Sequence, residues 1–226
     1  MDEQPLDYRL NDLYRRLFKR YAGQRWWPAD SPFEVMLGAI LTQSTSWRNV
    51  EKAVANLKFA GALAAAAIRR MPEDELAGLI RPGGYHNAKT KKLKALAVFL
   101  DTECSDDLGR LFAGDTEKLR DKLLAVYGIG PETADSILLY AGGKPSFVID
   151  AYTRRIMGRL GLARESASYE ALRMLFMSNL PLDARMFNEY HALLVGHGKE
   201  HCRKTPVCRG CCLKDICSGC LIPFPF

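Results

Sequence analysis

The chain has 226 residues, 48% of them hydrophobic and 26% charged, enough for one compact domain or two interlocked lobes with a sizeable core. Its opening MDEQPLDYRL has no basic n-region or apolar h-region, and the longest apolar run, FAGALAAAAI, is too short to span a bilayer; both predict a cytoplasmic protein, nucleoid-associated if bacterial, with no membrane partner. A net charge of +6 with a pI near 8.9 favours a polyanion as partner without requiring one.

In chain order, apolar residues three and four apart predict helices in LNDLYRRLFKRY, SPFEVMLGAILTQ, WRNVEKAVANLK, AKTKKLKALAVFLD, DTEKLRDKLLAVY, ETADSILLYA, DAYTRRIMGRLG, SYEALRMLFMSNL and ARMFNEYHALLVGHGK. Breaks fall at WWPADSP, RMPED, IRPGGYHN, AGDTE, GIGP, AGGKP and NLPLDA, and Ser31, Pro72, Asp115 and Asp183 stand where helices start. The expectation is an all-α protein of about ten short helices joined by tight turns, with no internal repeat, coiled-coil register or low-complexity linker.

Three features carry chemistry. In VYGIGPETA, Gly128 and Gly130 can take positive φ and bring the backbone close to a ligand, and the N–H groups of the following helix start suit a phosphate oxygen. The bland alternative for this stretch is an ordinary helix–turn–helix corner. In VIDAYT, Asp150 stands at another helix start, where it can cap the helix, act as a carboxylate in a reaction, or do both. Cys202, Cys208, Cys211 and Cys217 are separated by five, two and five residues, with Cys212 and Cys220 as extras. That spacing suits an iron–sulfur cluster or a zinc ion and argues against a disulfide framework.

Taken together, LLAVYGIGPETADSILLYAGGKPSFVIDAYTRRIMGRLG resembles the helix–hairpin–helix, Gly/Pro loop and aspartate signature of the endonuclease III superfamily of DNA glycosylases. The resemblance extends through SPFEVMLGAILTQSTSWRNVEKAVANL and IRPGGYHNAKTKKLKALA to the cysteine tail, and so covers nearly the whole chain. WWP at Trp26–Pro28, GIGPETADSILLYA and the lack of a lysine after the Gly-x-Gly turn most resemble the 3-methyladenine DNA glycosylase III branch.

The resemblance implies a two-lobed helix–hairpin–helix glycosylase fold with a C-terminal cluster loop and the active site in the cleft. One lobe is a six-helix barrel over 25–134 ending in the helix–hairpin–helix, about 115–141; the other combines 1–24 with 135–226 and carries the loop 202–217. It implies a four-iron, four-sulfur cluster on the four cysteines, zinc being the alternative, although relatives usually have one more residue in the first gap. Asp150 is assigned to the sugar cation, and Glu132 stands where bifunctional relatives carry the imine-forming lysine. The enzyme is therefore expected to be monofunctional and without lyase activity, acting as a monomer on double-stranded DNA that contains a damaged base, most specifically a 3-methyladenine-type alkylated purine.

Trp26, Trp27 and Trp47 are the candidates for stacking on a cationic base, and Gln43, Tyr85 and His86 match positions of residues that fill the gap left by a flipped base. DNA contacts are expected from Gly128, Gly130, Thr133 and Arg154, with Arg155, Lys89, Lys91, Arg203 and Lys204 as further phosphate candidates. His191 and His197 are expected as helix residues near the cluster. The competing readings are a mismatch, uracil or oxidised-base glycosylase of the same fold and, from another class, a non-catalytic DNA-binding module.

Overall fold

The computed structural model describes residues 4–24, 26–164 and 166–220, with Cys220 described by its backbone alone. It is all-α: among the described residues there is no strand, and no helix is long and apolar enough to cross a membrane. The chain divides into two compact units, Trp27–Lys144, and Met1–Trp26 together with Pro145–Phe226.

The unit Trp27–Lys144 is built around α2 (Pro32–Leu41), in which every residue from Phe33 to Leu41 is buried. The Ser31 hydroxyl caps this helix by accepting from the Glu34 N–H at 3.2 Å, and Pro32 presets its first turn. On it pack α3 (Trp47–Phe59) and α6 (His86–Cys104), and α4 (Ala65–Arg70) and α5 (Glu73–Leu79) pack on α6. α3 buries Val50, Ala53, Val54 and Leu57, the three-and-four spacing of a helix with one apolar face. α7 (Leu108–Ala113) and α8 (Thr116–Leu124) follow, each capped by an aspartate, Asp107 and Asp115. α9 (Pro131–Ser136) runs directly into a single π turn, Ile137–Ala141.

The second boundary of this unit falls at 144, ten residues beyond the expected 134, because Ala134, Ile137 and Leu138 pack into the same core as α2, α3 and α6. The first boundary passes between Trp26 and Trp27, so adjacent tryptophans belong to different units.

The other unit holds α1 (Leu6–Tyr21), α10 (Ala151–Arg159), α11 (Tyr169–Met177) and α12 (Ala184–Glu200), with α12 packed on both α1 and α10. Its centre is aromatic: Phe147 stacks on Phe176 with ring centroids 3.7 Å apart, and Phe187 and Tyr190 meet Phe147 edge-on. The buried Tyr190 hydroxyl donates to Leu10 O at 2.8 Å, which satisfies its polar end. Asp183 caps α12 by accepting from Arg185 N and Met186 N.

Candidate functional site

The helix–hairpin–helix lies within Trp27–Lys144 as α8, the turn Ala125–Gly130, and α9. Gly128 has φ +82°, the left-handed conformation that glycine adopts at little cost. A Cβ there would also stand 2.2 Å from Lys92 Cγ, so the position is closed to other residues twice over. Gly130 differs from expectation: at φ −91°, ψ 178° it is the extended N-cap of α9 and needs no positive φ. What glycine provides at 130 is open space, with nothing within 4 Å of the Cβ position, so a ligand can approach the backbone. Glu132 is exposed on the first turn of α9.

Gln43, a gap-filling candidate by sequence, has both ends of its amide engaged, the nitrogen with the hairpin and the oxygen with α6. Its nitrogen donates to Gly128 O at 3.0 Å and to Thr133 Oγ1 at 2.9 Å, and its oxygen accepts from Lys92 Nζ at 2.5 Å. Tyr85, in contrast, is 71% exposed and sits in the left-handed region at the start of α6, with half-buried His86 next to it.

Lys89 is corrected outright as a phosphate candidate. It is 2% exposed, and its ammonium donates to Leu41 O at 2.7 Å and Gly83 O at 2.8 Å, which places it on the inner face of α6. Burial, and to a smaller extent the Lys92 charge, brings its pKa down to about 8. Lys91 remains exposed.

Trp27 and Trp47 come together in the same unit, edge to face at 5.3 Å, and Trp27 also stacks on Tyr140 at 4.9 Å. They line a cavity of about 330 Å³ whose polar lining includes Asp30, Glu34, Glu51 and Lys58. Lys58 bridges Asp30 at 2.6 Å and Glu34 at 2.9 Å, while Glu51 accepts from Trp47 Nε1 at 3.1 Å.

Asp150, in the other unit, caps α10: its Oδ1 accepts from the Thr153 N–H at 2.7 Å. Its Oδ2 lies 3.7 Å from Nε2 of His191, a buried residue of α12. Burial pushes the His191 pKa down and the Asp150 charge partly opposes this. Trp26 meets His191 edge-on at 5.6 Å, and the Lys199 ammonium lies 5.9 Å from the Trp26 ring. His191 was missed as a neighbour of the aspartate because it sits on the core face of α12 with Phe187 and Leu194, and nothing local marks a partner 41 residues upstream.

Arg154 commits one donor to Ala167 O, and Arg155 donates to Cys202 O at 2.7 Å while lying over the Tyr152 ring. As phosphate candidates both arginines are therefore partly spent on their own unit, since half-buried guanidinium N–H groups near α10 take the nearest carbonyls.

Cys202, Cys208, Cys211 and Cys217 line one cavity beneath α10 and α12, and Cys212 is not among its lining residues. Arg159 Nη1 donates to Cys202 Sγ at 3.3 Å and the Leu213 N–H to Cys211 Sγ at 3.4 Å. His197 Nε2 lies 3.9 Å from Cys211 Sγ, so this histidine borders the cysteine loop, while the His191 Nε2 faces Asp150. Among the described residues no three His, Cys, Asp or Glu side chains are grouped tightly enough to hold one metal ion. Four cysteines around a common cavity, with N–H groups aimed at two of the sulfurs, nonetheless fit the donor chemistry of an iron–sulfur cluster.

A helix–hairpin–helix followed by a helix-capping aspartate defines a class, and residues 37–182 match the HhH-GPD superfamily of base excision DNA repair proteins. The chain belongs to this superfamily and is an endonuclease III-like DNA glycosylase of base excision repair. It is 45% identical to the Methanocaldococcus jannaschii protein MJ1434, named as a DNA repair glycosylase, over 91% of this chain and 94% of that one. Its fold is similar to that of the Helicobacter pylori 3-methyladenine DNA glycosylase MagIII bound to 1,N6-ethenoadenine, at TM-score 0.73 and 27% identity over 87% of this chain and 98% of that one. It is also similar in fold to endonuclease III in a non-covalent DNA complex, at TM-score 0.82 and 21% identity over 96% of this chain and 98% of that one.

Proposed function

We propose that the protein is a monofunctional glycosylase that flips an alkylated purine of the 3-methyladenine type out of duplex DNA and hydrolyses its N-glycosidic bond. The observation that carries the substrate class is the Trp27–Trp47 cavity, whose lining sets the three carboxylates Asp30, Glu34 and Glu51 against the single cation Lys58. Indole faces and carboxylates together suit a flat, positively charged ring better than a neutral pyrimidine. The H. pylori enzyme holds an ethenoadenine, a modified purine, and lends the same direction.

In the proposed reaction the C1′–N bond breaks, the base departs with the bonding electrons and positive charge develops on the sugar. The Asp150 carboxylate stabilises that charge and orients the water that adds at C1′, and the water's second proton leaves to solvent. With Oδ1 fixed by the Thr153 N–H, Oδ2 is the oxygen available for this work. Glu132 in the first turn of α9 cannot form an imine, so the products are the free base and an intact strand with an abasic site. Phosphate binding falls to the Gly128–Gly130 turn and Thr133, and Tyr85 is the residue best presented to fill the space left by the flipped base. Cys202, Cys208, Cys211 and Cys217 would hold a four-iron, four-sulfur cluster, which when bound cross-links the loop carrying Arg203 and Lys204. The protein acts as a monomer in the cytoplasm, where its DNA is.

The test is single-turnover excision on a panel of duplexes containing 3-methyladenine, ethenoadenine, uracil, a G·T mismatch or an oxidised pyrimidine, each with the parent and with Asp150→Asn. Release of the alkylated purines is expected, with Asp150→Asn slower by roughly a hundredfold or more. Release of thymine, uracil or oxidised pyrimidine alone would overturn the substrate class. A folded Asp150→Asn acting at the parent rate would remove Asp150 from the chemistry.

A further inference from the structure

The run KTKKLK on α6 reads as a solvated basic face, yet its lysines do different things. Lys89 is buried on two carbonyls, Lys91 is exposed, and Lys94 donates to Arg69 O and Met71 O. Lys92 is half-buried: its stem fills the space behind Gly128, and its ammonium donates to Gln43 Oε1 at 2.5 Å. An ammonium only donates, so the Gln43 oxygen must face it and the amide nitrogen must face the hairpin. That nitrogen then has its two hydrogens placed on Gly128 O and Thr133 Oγ1, one on each side of the turn. A charge at the head of such a relay strengthens the bonds behind it.

We infer that Lys92 is a positioning residue for phosphate binding at the Gly128–Gly130 turn, acting through the Gln43 side chain. The inference rests on the reading that this turn meets DNA phosphates. Lys92 pulls the Gln43 amide into one orientation. Gln43 in turn draws the Gly128 carbonyl inward, which leaves the open face of Gly130 to the ligand. Without the ammonium the Gln43 amide is free to rotate, and the turn loses the tie between its two sides.

The experiment measures affinity of the full chain for a labelled duplex, undamaged and carrying an abasic-site analogue, across a salt series. The variants are Lys92→Met, which keeps the stem over Gly128, Gln43→Leu, their double, and Gly130→Asp. Lys92→Met is expected to weaken both duplexes by about tenfold, the scale of one charge-assisted hydrogen bond. The double variant should be no weaker than the weaker single, and the slope of log affinity against log salt should stay that of the parent. Amide hydrogens of 128–133 should exchange faster in Lys92→Met. Additive losses, or a slope reduced by about 0.9, the value for one lost phosphate contact, would show Lys92 acting independently or on DNA directly and overturn the inference. Parent affinity in Lys92→Met with binding abolished in Gly130→Asp overturns it alone. Parent affinity in Gly130→Asp would instead sink the reading of the turn.

Discussion

The two helices of the hairpin are joined from inside by a pair whose removal has a calculable cost. Arg120 of α8 is 7% exposed and Asp135 of α9 is fully buried. They meet in a two-pronged contact, Nε to Oδ1 at 2.8 Å and Nη2 to Oδ2 at 3.2 Å. Asp135→Asn removes the negative charge while keeping the shape, so the buried two-pronged contact with Arg120 loses its charge pairing; breaking such a pair costs about 3–5 kcal/mol. For a chain of this length that corresponds to a fall in Tm of about 6–20 °C, taking about 2–4 °C per kcal/mol. Replacing both residues, Arg120→Met with Asp135→Leu, removes both buried charges and should bring stability back to near the parent or above it. Urea unfolding of the parent, the single and the double variant measures all three. Because the pair is almost wholly removed from solvent, the loss in Asp135→Asn should change little between dilute and concentrated salt. A single variant within about 1 kcal/mol of the parent would refute the reasoning, since a buried, doubly bonded carboxylate would then be contributing no more than an exposed one.

Three further outcomes are expected. Borohydride should trap no covalent adduct between the protein and damaged DNA, and strand breaks should appear only after alkali; efficient trapping would make the enzyme bifunctional. Protein purified under anaerobic, reducing conditions should carry about four irons per chain; Cys211→Ser should lose them and Cys212→Ser keep them, and zinc without iron would be the contrary result. Lys89 has its folded pKa lowered to about 8 against an ordinary value of 10.5, so the unfolded chain binds more protons between those values and the penalty for burying the charge fades as pH rises. The stability advantage of the parent over Lys89→Met should therefore grow from pH 7 to pH 10, by at most about 1.4 kcal/mol per pH unit above 8; an advantage that shrinks over that range would refute the assignment.

What the sequence makes legible here is what is local. Ser31, Asp115, Asp150 and Asp183 can be read as helix starts because a cap needs only the two or three N–H groups that follow it, and each of the four accepts from them in the structure. Lys89 could not be read: a lysine in a basic run looks solvated until Leu41 and Gly83, one of them 48 residues away, present their carbonyls to it. The same holds for Trp26 and Trp27. Adjacent and chemically alike, they have different surroundings, His191 for one and Tyr140 with Trp47 for the other, because the boundary between compact units runs between them.

Asp150 shows why a local reading and a chemical one need not compete. A cap uses one carboxylate oxygen, and here Oδ1 takes the Thr153 N–H while Oδ2 lies beside the buried ring of His191 without a hydrogen bond to it at 3.7 Å. The helix start therefore fixes the carboxylate in advance, so in the proposed reaction little reorganisation would be needed when charge develops on the sugar. Burial holds the His191 pKa below its ordinary value, with the Asp150 charge partly opposing this, so the ring beside the carboxylate favours its neutral form. An amide at 150 preserves the cap and loses the charge. For that reason a drop in excision by Asp150→Asn with unfolding unchanged would separate the two roles of one side chain.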